Sequence, residues 1–91
     1  MSERISFRHD ERDQPMTEVV KKALCLLKVF TEARPELGLS DLSRMTQVDK
    51  ATAHRLLQTL REEGLIDQHP VSKLYRLGGA VLVLARVREA A

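Results

Sequence analysis

Between Thr17 and Ala33 the apolar residues Val19, Val20, Ala23, Leu24, Leu26, Leu27 and Phe30 fall on one broad arc when successive residues are turned by about 100°. This pattern predicts an amphipathic helix with that arc in the core and Thr17 as its cap. Cys25 and Val29 fall on the opposite side and fit either incidental surface or a subunit contact. Pro35 and Gly38 then break the periodicity. Leu42 and Met45, three residues apart, predict a second helix from Asp41 to about Thr46, capped by Ser40. Ala53, Leu56, Leu57 and Leu60 form a narrow inner stripe on a third helix from Lys50 to Glu63. Asp49 is placed to cap it, and Gly64 to stop it in a left-handed turn.

Beyond Gly64 the period changes. Leu65–Gln68 and Leu74–Leu77 read as short strands, with His69–Lys73 as the turn between them. After Gly78-Gly79 a last helix begins at about Ala80, and its first six residues, Ala-Val-Leu-Val-Leu-Ala, have no polar side. A helix that is apolar all round is expected to be covered all round. One face can lie on this domain; the other calls for a second subunit or a further domain. The expected fold is mainly α with a small β-hairpin: a winged helix-turn-helix followed by the start of a C-terminal linker helix. Its expected divisions are a flexible tail at 1–15, the winged helix-turn-helix at 16–78 and the linker helix at 79–91.

Ninety-one residues suffice for one small domain. The chain carries 15 Lys and Arg against 13 Asp and Glu, and residues 16–91 keep 12 basic and 9 acidic side chains. That mild excess suits a nucleic-acid partner without requiring one. Cys25 is the single cysteine, so no internal disulfide can form, which fits a reducing compartment. His9, His54 and His69 have no Cys or His neighbour at metal-ligand spacing, so no metal or other cofactor is expected. The N-terminus lacks an apolar core typical of a secretory signal, and no apolar run approaches the length of a membrane span. The expected location is the cytoplasm, with no membrane association.

The third helix carries the candidate chemistry. The major groove is about 12 Å wide and admits one helix, whose leading end must be slim. Lys50-Ala51-Thr52 offers small residues and one positive charge there, at a helix N-terminus that favours phosphate. Arg55 points away from the apolar stripe, and its fork suits guanine or phosphate. Gln58, one turn on, can pair with adenine or phosphate. Each has a plainer reading as a helix-start residue or a solvated side chain. His54 fits a surface hydrogen bond as well as a DNA contact, and no nucleophile or carboxylate partner equips it for base catalysis. Lys73 at the wing tip and Lys22 on the first helix can each reach a phosphate or remain solvated. A winged-helix protein-interaction module without DNA binding is the alternative, but partner-binding faces carry exposed apolar anchors, and this face carries Arg55, Gln58 and His54. An enzyme is not expected, because no phosphate loop, metal cluster or nucleophile constellation is present.

Several segments together carry a family resemblance. They are Val19-Val20, Lys22-Ala23-Leu24, Leu26-Leu27, Leu39-Ser40-Asp41-Leu42, Thr52-Ala53-His54-Arg55-Leu56-Leu57, Gly64-Leu65-Ile66 and Tyr75-Arg76-Leu77-Gly78. In this order and spacing they resemble the DNA-binding domain of the IclR (isocitrate lyase regulator-like) transcription factors, over residues 18–88. The resemblance implies a bacterial regulator that binds a palindromic operator on double-stranded DNA as a homodimer. It implies that the residues matching Thr52 and Arg55 touch the operator; Lys50, Ala51, His54, Gln58, Ser40, Lys22 and Lys73 are the further candidate contacts of this chain. It also implies a small organic effector, bound by a C-terminal domain absent from this chain. The sequence departs from the family pattern at Gln47, where the turn often has Gly; at Ser43, where Ala is usual; at Ala51, where Ser is frequent; and at Lys22, where Arg is common.

Overall fold

The computed structural model describes residues 13–91. Helix α1 spans Asp13–Lys28, α2 Leu39–Thr46 and α3 Lys50–Glu62. Strands β1 (Ile66–Gln68) and β2 (Tyr75–Leu77) follow, then α4 (Gly79–Ala90). The strands pair antiparallel with Ile66 opposite Leu77 and Gln68 opposite Tyr75. Leu37 adds a one-residue bridge on the far side of β2: its amide donates to the Tyr75 carbonyl at 3.0 Å, and the Tyr75 amide donates back at 2.8 Å. This is the mainly α winged helix-turn-helix expected from the sequence.

The first helix departs from its expected limits at both ends. It begins at Asp13, so Thr17 lies one turn inside it rather than at its cap, and residues 13–15 belong to helix rather than tail. The rest of the expected tail, 1–12, lies outside the described residues. The helix ends at Lys28 because the chain folds into a tight turn in which the backbones of Thr31 and Arg34 exchange hydrogen bonds of 3.3 and 3.0 Å. The Thr31 hydroxyl accepts a further bond from the Arg34 amide at 3.1 Å. Pro35 disfavours helical geometry at the residue before it, so the turn cannot continue α1.

The core is a single cluster of Leu26, Phe30, Leu37, Leu42, Val48, Ala53, Leu57, Leu60, Ile66 and Tyr75. From α1, Leu26 lies in it and Leu27 packs against it. Val19, Val20 and Leu24, expected in the core, are exposed, while Val29, expected opposite, packs against the core. Periodicity located an apolar arc correctly but could not say how far α2 and α3 extend beneath it. Helix α4 overhangs in the same way. Ala80 and Val81 are half-buried, whereas Leu82, Val83, Leu84 and Val87 are all exposed, so the face expected to lie on the domain does so only in its first turn.

Two glycines fix how the wing and α4 leave α3. At Gly64 (φ 79°) the chain turns left-handed, the Leu65 amide donates to the Leu60 carbonyl at 2.9 Å, and the Gly64 amide donates to Arg61 at 3.0 Å. These two bonds make a Schellman cap, as the sequence predicted for Gly64. Gly78, extended at φ −90°, caps α4, and its amide donates to the Leu65 carbonyl at 2.8 Å. A methyl group at Gly78 would collide with the Gly64 carbonyl, so the wing returns to the end of α3 through a gap only glycine fits.

Candidate nucleic-acid interface

The turn between α2 and α3 sets the angle at which α3 is presented. Gln47 closes α2 in the left-handed region (φ 65°, ψ 21°), and its amide donates to the Ser43 carbonyl. The Thr46 hydroxyl donates to the Leu42 carbonyl at 2.6 Å and accepts from the Val48 amide at 3.3 Å. The Ser43 hydroxyl donates to the Val48 carbonyl at 2.5 Å. The hydroxyls of Ser43 and Thr46 and the amides of Gln47 and Val48 are thus paired within the turn, while Val48 is buried beneath it.

Asp49 occupies the cap position of α3 in extended geometry (φ −64°, ψ 155°), and its carbonyl accepts the Ala53 amide at 2.8 Å. Its carboxylate is not in strict capping geometry with the helix amides. The Thr52 hydroxyl beside it nevertheless holds the carboxyl below its ordinary range, helped by the Thr52 amide and by the charges of Lys22 and Arg55. Thr52 is thus the main influence on Asp49 at this helix start, and the charges of Lys22 on α1 and Arg55 on α3 add to it. Ser40, by contrast, does not cap α2. Gly38 holds that position (φ −85°, ψ 169°), leaving Ser40 exposed in the helix's first turn beside Asp41. Asp41 is held by Arg44 at 3.0 Å and Arg34 at 3.8 Å.

Along α3 the buried side chains are Ala53, Leu57 and Leu60. Lys50, Ala51, His54, Arg55 and Gln58 are exposed, and Thr52 is half-buried. Neither Lys50 nor Arg55 forms a salt bridge among the described residues. One face thus presents free cationic donors and no large apolar side chain. Lys22 and Lys73 are also exposed, and Lys73 sits at the wing tip in the left-handed region (φ 67°).

The wing tip is shaped by His69. Its Nδ1 accepts the amides of Val71 and Ser72, both at 3.1 Å, and its carbonyl accepts the Lys73 amide at 3.0 Å. Between the wing and α3 lies a groove of about 520 Å³. Arg61 and Arg76 line it together with Glu36, Glu62 and Asp67, so its charge is mixed and it is no anion cradle.

Arg61 escaped the sequence reading. Its Nη1 donates to Gln58 Oε1 and to Gln68 Oε1, both at 3.2 Å, joining α3 to β1. The three-residue spacing to Gln58 was visible in the sequence, but the approach to Gln68 depends on the reversal at Gly64. Beneath this bridge Tyr75 is buried, and burial pushes its hydroxyl pKa up while Arg61 and Gln68 oppose the shift. Among the described residues no group of three or more His, Cys, Asp or Glu is placed to hold a metal ion.

The chain is similar to known proteins over this same region. The IclR helix-turn-helix domain matches residues 19–70. The HTH-type transcriptional regulator XynR of Escherichia coli is 42% identical over 64 residues, which is 70% of this chain and 25% of that protein. A crystal structure described as an IclR transcriptional regulator from Silicibacter sp. TM1040 superposes with a TM-score of 0.75 at 49% identity, covering 79% of this chain and 28% of that one. A second, an IclR family transcriptional regulator from Brucella abortus, gives a TM-score of 0.77 at 28% identity over 91% of this chain and 32% of its own. The chain spans about a quarter of the length of the curated relatives it matches.

Proposed function

This chain belongs to the IclR helix-turn-helix family, whose domain is that of DNA-binding transcriptional regulators, and from that premise we propose that α3 enters the major groove of a palindromic operator. The observation that carries this reading is the division of α3. Ala53, Leu57 and Leu60 hold it to the core, while Lys50, Ala51, His54, Arg55 and Gln58 stay exposed, with the small Ala51 at the leading end. Lys50, Thr52, Arg55 and Gln58 are assigned to base edges and adjoining phosphates. Lys22, Ser40 and Lys73 are assigned to the backbone on either side. This face has none of the apolar anchors that a protein partner would need, so the protein-interaction alternative is not favoured.

The protein acts as a homodimer, with two α3 helices about 34 Å apart on successive turns of the duplex. Exposed Val19, Val20 and Leu24 on α1, and Leu82, Leu84 and Val87 on α4, supply apolar surface for a second copy. We assign recognition of a small organic effector to a C-terminal domain outside this chain. No helix among the described residues is long and apolar enough to cross a membrane, which suits action on DNA in the cytoplasm.

A salt titration tests the reading. Affinity for duplex DNA should fall linearly on a log–log plot against salt, with a slope near −0.9 for each phosphate neutralised. No retention on immobilised duplex at low salt would refute it.

A further inference from the structure

Arg61 does more than brace the wing. A guanidinium has only donors, so a glutamine amide that meets it must turn its oxygen inward and its nitrogen away. Gln58 meets Arg61 in this way, its Oε1 accepting from Nη1 at 3.2 Å. The other Nη1 hydrogen goes to Gln68 Oε1 at 3.2 Å. Gln68 in turn donates from Nε2 to the Lys73 carbonyl at 3.0 Å. A continuous hydrogen-bonded path therefore runs from the exposed face of α3 through Arg61 and β1 to the wing tip, and Gln68 fixes the guanidinium that fixes Gln58. The Nε2 of Gln58 has no partner among the described residues.

We propose that Arg61 is a specificity-determining positioning residue: by engaging the Gln58 carbonyl it makes Gln58 read the major groove as a hydrogen-bond donor. A free NH2 group is best satisfied by guanine, which shows two acceptors, O6 and N7, or by the O4 of thymine. Adenine pairs with both halves of a glutamine amide, accepting at N7 and donating from N6. Here Arg61 already takes one of the two lone pairs of the amide oxygen and fixes how the amide is turned, so N6 is left the second lone pair only at the angle that contact allows. The chain therefore disfavours adenine opposite Gln58, against the usual glutamine preference. This inference rests on α3 lying in the major groove.

The test is selection of bound sites from random duplexes by the 91-residue chain and its Arg61→Met, Arg61→Lys and Gln58→Ala forms. Gln58→Ala identifies the base position that Gln58 reads, as the one whose preference vanishes. At that position the parent chain should select guanine or thymine. Arg61→Met should enrich adenine there by about tenfold, and Arg61→Lys, which keeps a donor, should restore the parent preference. A merely structural Arg61 would lower affinity evenly without exchanging one base for another. Adenine already selected by the parent chain, or no change of base in Arg61→Met, overturns the inference while leaving DNA binding intact. Failure of the parent chain to select any motif overturns the groove-reading premise and the inference together.

Discussion

The hydroxyl of Ser43 donates to the carbonyl oxygen of Val48 at 2.5 Å, tying the body of α2 to the residue that leads into α3. Ser43 is half-buried and Val48 is buried, so this bond is only partly in competition with water. Ser43→Ala should cost about 0.5–1.5 kcal/mol in urea denaturation. An unchanged midpoint would mean that the Val48 carbonyl finds another partner.

The same turn stores strain at Gln47, which has φ 65° without being glycine. Left-handed backbone costs an L-residue about 1–2 kcal/mol, more than the roughly 0.5–1 kcal/mol of extra chain entropy that glycine loses on folding. Gln47→Gly should therefore raise stability by about 0.5–1 kcal/mol, and a β-branched Gln47→Val should lower it. Equilibrium denaturation of the pair gives both signs in one experiment.

Gly78 presents the opposite case. Its φ of −90° suits any residue, so conformational freedom is not why it is glycine. The obstacle is the Gly64 carbonyl, with the Ile66 amide nitrogen close by. Both neighbours are backbone and cannot turn aside. Gly78→Ala should cost about 1–3 kcal/mol, the range for overpacking. It should also disturb amide resonances at Gly64, Leu65 and Ile66 before those of α2. A silent substitution would contradict the close approach of wing and helix end.

Asp49 predicts an acid-range dependence. Hydrogen bonding from Thr52, with the charges of Lys22 and Arg55, lowers its pKa from 3.8 in the folded state. The folded state then binds the proton less readily than the unfolded state. Its contribution is present at neutral pH and is lost as the pH falls below the ordinary carboxylate range and through the lowered value. Asp49→Asn keeps the side chain's size and an acceptor oxygen but removes the titrating charge, and should flatten the acid limb of the stability curve. An equal slope in both proteins would contradict the interaction.

Much of this was legible in the sequence, and the failures share a cause. Periodicity located α2, α3, the hairpin and the Gly64 stop because each depends on residues within a few positions. The apolar arc of α1 was equally visible, yet Val19, Val20 and Leu24 are exposed because coverage depends on the extent of α2 and α3. Ser40 looked like a cap, but Gly38 takes that role because the chain arrives extended from its pairing with Tyr75. Ser43 stood out only as a departure from the family pattern; its bond to Val48 needs the turn to be folded. Arg61 carried a local signal toward Gln58 but none toward Gln68. Exposure of Lys50, Arg55 and Gln58 followed from helix geometry, whereas the influence of Lys22 on Asp49 required the packing of α1 on α3.

We propose above all that the exposed side of α3 reads DNA, with Arg55 among its base readers. The most direct measurement compares the affinities of the parent chain and Arg55→Ala for a selected duplex and for an unrelated one, with circular dichroism to confirm the fold. Arg55→Ala should stay folded and lose about 1–3 kcal/mol of binding to the selected site, with a smaller loss on the unrelated duplex. A folded Arg55→Ala protein that holds its selected site as tightly as the parent would contradict it.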